Sequence, residues 1–187
     1  MAYKESNMLP LGTEAPDFWL PDAVSDKKMD LEAVRGAKAT VVMFWSNHCP
    51  YVKHLNDAIS GMAVHYEALG VSFVAIGSNN VDAYPADAPF FMRELAKEKG
   101  FSFPYLYDET QSVARAYDAA CTPDFYVFDE NLILRYRGRF DDSRPTNGLP
   151  VTGKDLKEAI NAVYYGAPVS AKQYPSGGCS IKWKPNY

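Results

Sequence analysis

Ala39-Thr40-Val41-Val42-Met43-Phe44-Trp45-Ser46-Asn47-His48-Cys49-Pro50 is the stretch that decides the fold. Its first seven residues form a continuous apolar, β-rich run, the pattern of a central strand covered on both faces. The last six have the spacing of a Trp-Cys-x-x-Cys redox motif in which serine stands at the first cysteine position. Two cysteines at that spacing shuttle between dithiol and disulfide within one turn of helix. A hydroxyl has far too high a pKa to supply the attacking anion at neutral pH. Ser46 is therefore no redox partner for Cys49.

Downstream, Val52, Leu55, Ile59, Met62, Tyr66 and Leu69 recur at alternating spacings of three and four, which predicts one amphipathic helix stopped by Gly70. Val71 to Ile76 reads as the next buried strand, so the strand, helix, strand order implies a right-handed parallel crossover. Asn80 to Pro89 is a loop by its prolines, Asp and Asn, and Phe90 to Lys99 is a short helix ending at Gly100. A brief edge strand at Tyr105 to Tyr107 and a helix over Thr110 to Tyr117 follow. Phe125 to Phe128 and Leu132 to Phe140, joined by Asp129-Glu130-Asn131, form an antiparallel hairpin. After the polar loop Ser143 to Gly153, Leu156, Ile160 and Val163 mark a final helix. The expected architecture is α/β, a central mixed sheet of four to five or more strands with helices on both faces. It is expected to be a single domain over residues 1–187, with an N-terminal extension at 1–37 and an irregular, Pro/Gly/Ser-rich tail at 166–187.

A formal charge of -4, with 22% charged and 47% hydrophobic residues, gives no electrostatic reason to expect nucleic acid or acidic lipid as a partner. A protein thiol or disulfide, or a small molecule such as a peroxide, fits better. Pro10, Glu14, Pro16, Asp17 and Pro21 interrupt every early apolar run, and no segment reaches the length of a membrane span, so the cytoplasm is the expected compartment. Cysteines at 49, 121 and 179 make an odd count that cannot be a fully paired disulfide framework. Cys49 precedes Pro50, which suits a first helical position, and so sits near a helix N-cap where unpaired N–H groups favour a thiolate. An ionised, solvent-reachable sulfur is the expectation; a buried structural thiol is the alternative. His48 and Lys53 are nearby sources of positive charge. His48, Cys49 and His54 offer too few ligands for a metal, and no cofactor is expected.

Ala15-Pro16-Asp17-Phe18, the Trp45 to Pro50 motif, Thr122-Pro123 before the Phe125 to Phe128 strand, and the terminal helix together resemble the thioredoxin-like superfamily, in its AhpC/TSA or redoxin branch. Within that branch the chain resembles a peroxiredoxin-like group with Cys-Asn-His-Cys-Pro, Cys-Thr-Pro-Asp and Gly-Cys-Ser-Ile-Lys-Trp-Lys segments. Here these read Ser46 to Pro50, Cys121 to Asp124 and Gly178 to Lys184. The resemblance implies a thioredoxin-like fold, a cis bond at Thr122-Pro123 facing the active-site cysteine, and Cys121 close to that site. It implies catalytic roles for Cys49, Ser46 and Cys121, and substrate binding by Trp45, Asn47, His48, Thr122 and Pro123, with an external thiol as reductant. Ser46 is either the replacement of a nucleophilic cysteine, engineered or natural, or the hydroxyl of a peroxiredoxin Thr/Ser-x-x-Cys pattern. In that pattern Val42 takes the place of a proline, and Pro123 that of the arginine. Cys121 is a resolving thiol or a buried strand-start residue, and Cys179 reads as structural or incidental in a mobile tail, with a mobile thiol reaching the active site as the alternative. The expected activity is thiol-disulfide exchange or peroxide reduction through Cys49. The rivals are a redox-silent module holding an extended peptide beside Thr122-Pro123, and an inactive form of a two-cysteine enzyme.

Overall fold

The computed structural model describes residues 2–185. A short strand Tyr3–Glu5 (β1) is followed by a small hairpin of Trp19–Pro21 (β2) and Lys28–Asp30 (β3). Ala39–Phe44 (β4) runs through the motif into Pro50–Lys53 (α1) and Asn56–Glu67 (α2), and then Val71–Gly77 (β5). A 3-10 turn at Pro85–Asp87 precedes Pro89–Lys99 (α3), Tyr105–Tyr107 (β6) and Ser112–Ala116 (α4). Cys121–Thr122 (β7), Asp124–Asp129 (β8), Leu134–Gly138 (β9), Lys154–Tyr164 (α5) and Gly177–Ser180 (β10) complete the order.

The main sheet has the order β6-β5-β4-β8-β9. β4 and β5 are parallel, as a crossover through a helix requires, and β8 and β9 form the antiparallel hairpin. Every residue of β4 is buried, which is why this strand shows no polar alternation. Side chains of successive strand residues point to opposite faces. Val41, Met43, Phe73, Ala75, Phe125 and Val127 accordingly pack with α2 and α5, whereas Val42, Phe44, Val74, Ile76, Tyr126 and Phe128 pack with α4 and the N-terminal segment. Full burial of such side chains contributes about 1.5–3 kcal/mol each before entropy is set against it. Leu9, Phe18, Leu20, Leu31 and Val34 belong to the second of these cores, so much of the 1–37 extension is integral to the fold. Among the described residues no helix is long and apolar enough to cross a membrane.

Two elements differ from expectation. The helix predicted from Val52 to Leu69 is broken: Leu55 N–H bonds to Val52 O at 2.9 Å, in the tighter i to i−3 pattern, and α2 begins at the next residue. The break places buried Asn56 where its side-chain oxygen accepts the Trp45 indole N–H at 3.2 Å. Leu69 lies beyond the last helical turn and is exposed.

The tail is the larger correction. Expected to be irregular, it contains β10, which pairs antiparallel with β1 on one side and β7 on the other. Gly177 and Gly178 look like loop residues in sequence, yet here they serve close approach. A Cβ on Gly178 would lie 2.0 Å from Thr122 O, and one on Gly177 would lie 2.2 Å from the Tyr3 hydroxyl oxygen. Gly178→Ala must push backbone away from backbone, and a loss of about 1–3 kcal/mol in denaturant unfolding is expected. Stability equal to the parent would mean that β10 and β7 can separate at little cost.

Candidate active site

Cys49 is the N-cap of α1 with an extended backbone (ψ 121°), and Pro50 follows at the first helical position. Its Sγ donates to Thr122 O at 3.1 Å, and the Thr122–Pro123 peptide is cis. The sulfur therefore lies at the Thr-Pro turn, but the expectation of a solvent-reachable thiol fails: Cys49 is 0% exposed. β10 accounts for much of that cover, since α1 packs on β10, and Cys179 lies in register opposite Thr122. Cys179, expected to be structural or incidental, is buried beside this turn, close enough to Cys49 to feel its charge. Burial, then the neighbouring Cys49, push the Cys179 thiol up to about 12, with Lys182 pulling the other way.

Cys121 is buried, and its sulfur faces Pro123 O at 3.7 Å and Ser176 O at 3.8 Å. Burial, followed by the charge of Asp124, raises its pKa well above the ordinary thiol value. Trp45, assigned to substrate binding from the sequence, is instead wholly buried, with its indole N–H turned to Asn56. Thr122 and Pro123 are also buried, their edge covered by β10. Asn47 and His48 are half-buried.

Around Ser46 the organising group is Asp87, on the 3-10 turn of the loop between β5 and α3. Ser46 Oγ donates to its carboxylate at 3.1 and 3.2 Å, Asn47 N–H at 2.6 Å and Asn79 Nδ2 at 2.7 Å. His48 Nδ1 lies 2.6 Å away and its backbone N–H 3.3 Å. Burial alone would raise this carboxyl, but His48, then Asn79, and the Asn47 N–H outweigh it and hold Asp87 below its ordinary value. Tyr84 stacks on the His48 ring with centroids 5.1 Å apart, and His48 Nε2 is buried without a hydrogen-bond partner among the described residues. Tyr105 donates to Asn47 Oδ1 at 3.1 Å, so the motif is held from below as well.

Serine, histidine and aspartate in contact suggest a hydrolase, and the wiring rejects it. A charge-relay serine bonds to one imidazole nitrogen while the aspartate takes the other. Here Ser46 Oγ (3.2 Å) and Asp87 share Nδ1, so no base is left to activate the hydroxyl. Asp87 was not legible as a site residue. The only signal was one acid among small residues and prolines in Tyr84-Pro85-Ala86-Asp87-Ala88-Pro89. Among the described residues no group of three His, Cys, Asp or Glu side chains is placed to hold a metal. A cavity of about 890 Å³ lined by Lys38, Asp129, Arg135 and Tyr165 shares no residue with this site.

A mixed sheet carrying a cysteine at the start of a helix, opposite a Thr-Pro turn, defines a protein of thioredoxin-like fold. The backbone superposes on a thioredoxin-like protein solved in its oxidized form with a TM-score of 0.65 at 21% identity, covering 85% of this chain and 99% of that one. The chain belongs to the AhpC/TSA family, whose model matches residues 11–137. It is 55% identical to an uncharacterized conserved protein from Geobacillus kaustophilus of known structure, with a TM-score of 0.98 over 100% of this chain and 99% of that one. It is also 25% identical to the thiol-disulfide oxidoreductase ResA of Geobacillus thermodenitrificans over 129 residues, 69% of each chain.

Proposed function

We propose that this protein is a thiol-disulfide oxidoreductase acting through Cys49, without Ser46 as a second thiol. The observation that carries this reading is the Cys49 sulfur 3.1 Å from the carbonyl that precedes Pro123, at the start of α1. A thiolate there attacks a disulfide sulfur of a protein or small thiol compound, giving a mixed disulfide that a second thiol releases. An external thiol reductant closes the cycle, and a cytoplasmic setting supplies one. Ser46 acts as a positioning residue: its hydroxyl is committed to Asp87 and ties the motif to the loop above it.

Disulfide exchange is favoured over peroxide reduction. Each arginine side chain has its hydrogen bonds or ring contact elsewhere, Arg144 for instance with Asp141 O and Ser143 O, and none is placed at the Cys49 sulfur to polarise an O–O bond. A second reading, the redox-silent peptide-binding module, is favoured by the complete burial of Cys49.

An aromatic disulfide that releases a coloured thiolate separates them. A release of coloured thiolate that depends on Cys49 is expected, with Cys49 recovered by mass spectrometry in a disulfide, mixed or internal, and the release lost in Cys49→Ser. A folded protein whose Cys49 stays unmodified from neutral to alkaline pH would sink the enzyme reading and leave the module. Hydrogen peroxide in place of the disulfide, with the same variant as control, tests the peroxidase alternative.

A further inference from the structure

We infer that Cys49 and Cys179 form the redox couple of this protein, with β10 acting as the chain's own strand in the groove beside Thr122–Pro123. This rests on the proposed role of Cys49 and adds the identity of its partner. β10 adds to β7 through main-chain pairing, with Cys179 opposite Thr122 and Ser180 opposite Cys121, as an extended peptide adds to a free sheet edge. Cys49 Sγ donates to the carbonyl of that same Thr122, so both cysteines converge on one residue, and the Cys49 sulfur is close enough to perturb the Cys179 thiol. Cys121 lies close enough to feel both of these sulfurs, but its own S–H faces the carbonyls of Pro123 and Ser176, and its strand partner is Ser180 rather than Cys179.

The tail is built to hold this position. Ser176 Oγ donates to Pro123 O at 2.6 Å on one side of the pair. On the other side, Lys182 N–H donates to Asn79 Oδ1 at 2.8 Å, and Lys182 O accepts from Asn80 N–H at 2.8 Å. Gly178 admits the main chain to a separation from Thr122 that no side chain allows. The second sulfur missing at position 46 is thus supplied from a strand far away in sequence.

The chemistry balances with a disulfide R–S–S–R′ as oxidant. The Cys49 thiolate attacks one sulfur, forming Cys49–S–S–R and expelling R′S⁻, which takes up a proton. Cys179 then attacks the Cys49 sulfur, forming the Cys49–Cys179 disulfide and breaking the S–S bond between Cys49 and RS. Its proton leaves with RS as RSH. Two thiols of the protein are oxidised by two electrons, and one substrate disulfide is reduced to two thiols. An external dithiol reverses the change in the protein.

The experiment treats the reduced, full-length protein with oxidised glutathione, blocks remaining thiols with an alkylating agent and maps the linkages by mass spectrometry after digestion. A peptide cross-link joining residues 49 and 179, with Cys121 alkylated, is expected. In Cys179→Ser the Cys49–glutathione adduct should persist at least about tenfold longer, because the resolving thiol is no longer intramolecular. A cross-link through Cys121, or an adduct on Cys49 equally long-lived with and without Cys179, overturns this inference while leaving the proposed function standing. No reaction at Cys49 in either protein overturns both. The linkage map of the parent protein decides the question even if the variant does not fold.

Discussion

Asp87→Ala is expected to destabilise the protein by several kcal/mol, because each buried hydrogen-bond donor it leaves unsatisfied costs about 1–3 kcal/mol. The carboxylate is 3% exposed and accepts from Ser46, Asn79, two backbone N–H groups and His48. Alanine leaves those donors facing a void that none of them can refill, and the cost is the desolvation of each orphaned group. Asp87→Asn keeps one carbonyl acceptor but adds an NH2 among donors, so it should fall between alanine and the parent. The pH dependence has a definite sign. Because the folded-state pKa lies below the ordinary carboxylate value, the stabilisation is present above that value and disappears as pH falls through the folded pKa. Urea midpoints measured at neutral pH and in acid for parent and alanine variant check this: the gap should be wide at neutral pH and close in acid. A gap below about 1 kcal/mol at neutral pH would mean the network is a solvated surface cluster.

The same variant should loosen the Cys49 site, since Asp87 holds the backbone of Asn47 and His48 that leads into α1. That dependence was invisible in the sequence for a physical reason. The strands β4, β5 and β8, the β8–β9 hairpin and the parallel crossover follow from local apolar runs and short connections, which a sequence displays directly. Asp87 and Cys179 reach the motif through chain separations of 41 residues to Ser46 and far more from the tail, and neither carries a local periodic signature. For β10, the glycines that permit its approach to Thr122 are the residues that made it look like loop. Cys49 at a helix start was legible from Pro50; its burial was not, because the covering strand comes from the other end of the chain.

Asp124, immediately after Pro123, should make the protein lose stability as pH rises. The side chain is wholly buried, and burial pushes its carboxyl up to about 7, despite the opposing hydrogen bond from Tyr126 Oη (3.0 Å) to Oδ2, while Oδ1 has no hydrogen-bond partner among the described residues. The unfolded chain ionises near the ordinary value of 3.8, so between that pH and about 7 the folded state holds a proton that the unfolded state has released. Stability is then greatest below the unfolded pKa and falls across the window by about 4 kcal/mol in all, at about 1.4 kcal/mol for each pH unit crossed. Asp124→Asn has no proton to lose. Its amide oxygen can still accept from Tyr126, and this loss of stability should be absent from it over the same window. At slightly alkaline pH the variant is therefore expected to be the more stable protein by a few kcal/mol, and near pH 4 the two should be similar. Denaturant midpoints at several pH values decide it, read as the difference between parent and variant so that other titrating groups cancel. A difference that does not grow between acid and alkaline pH would show that Asp124 is ionised in the folded state, with hydrogen bonds strong enough to offset its burial.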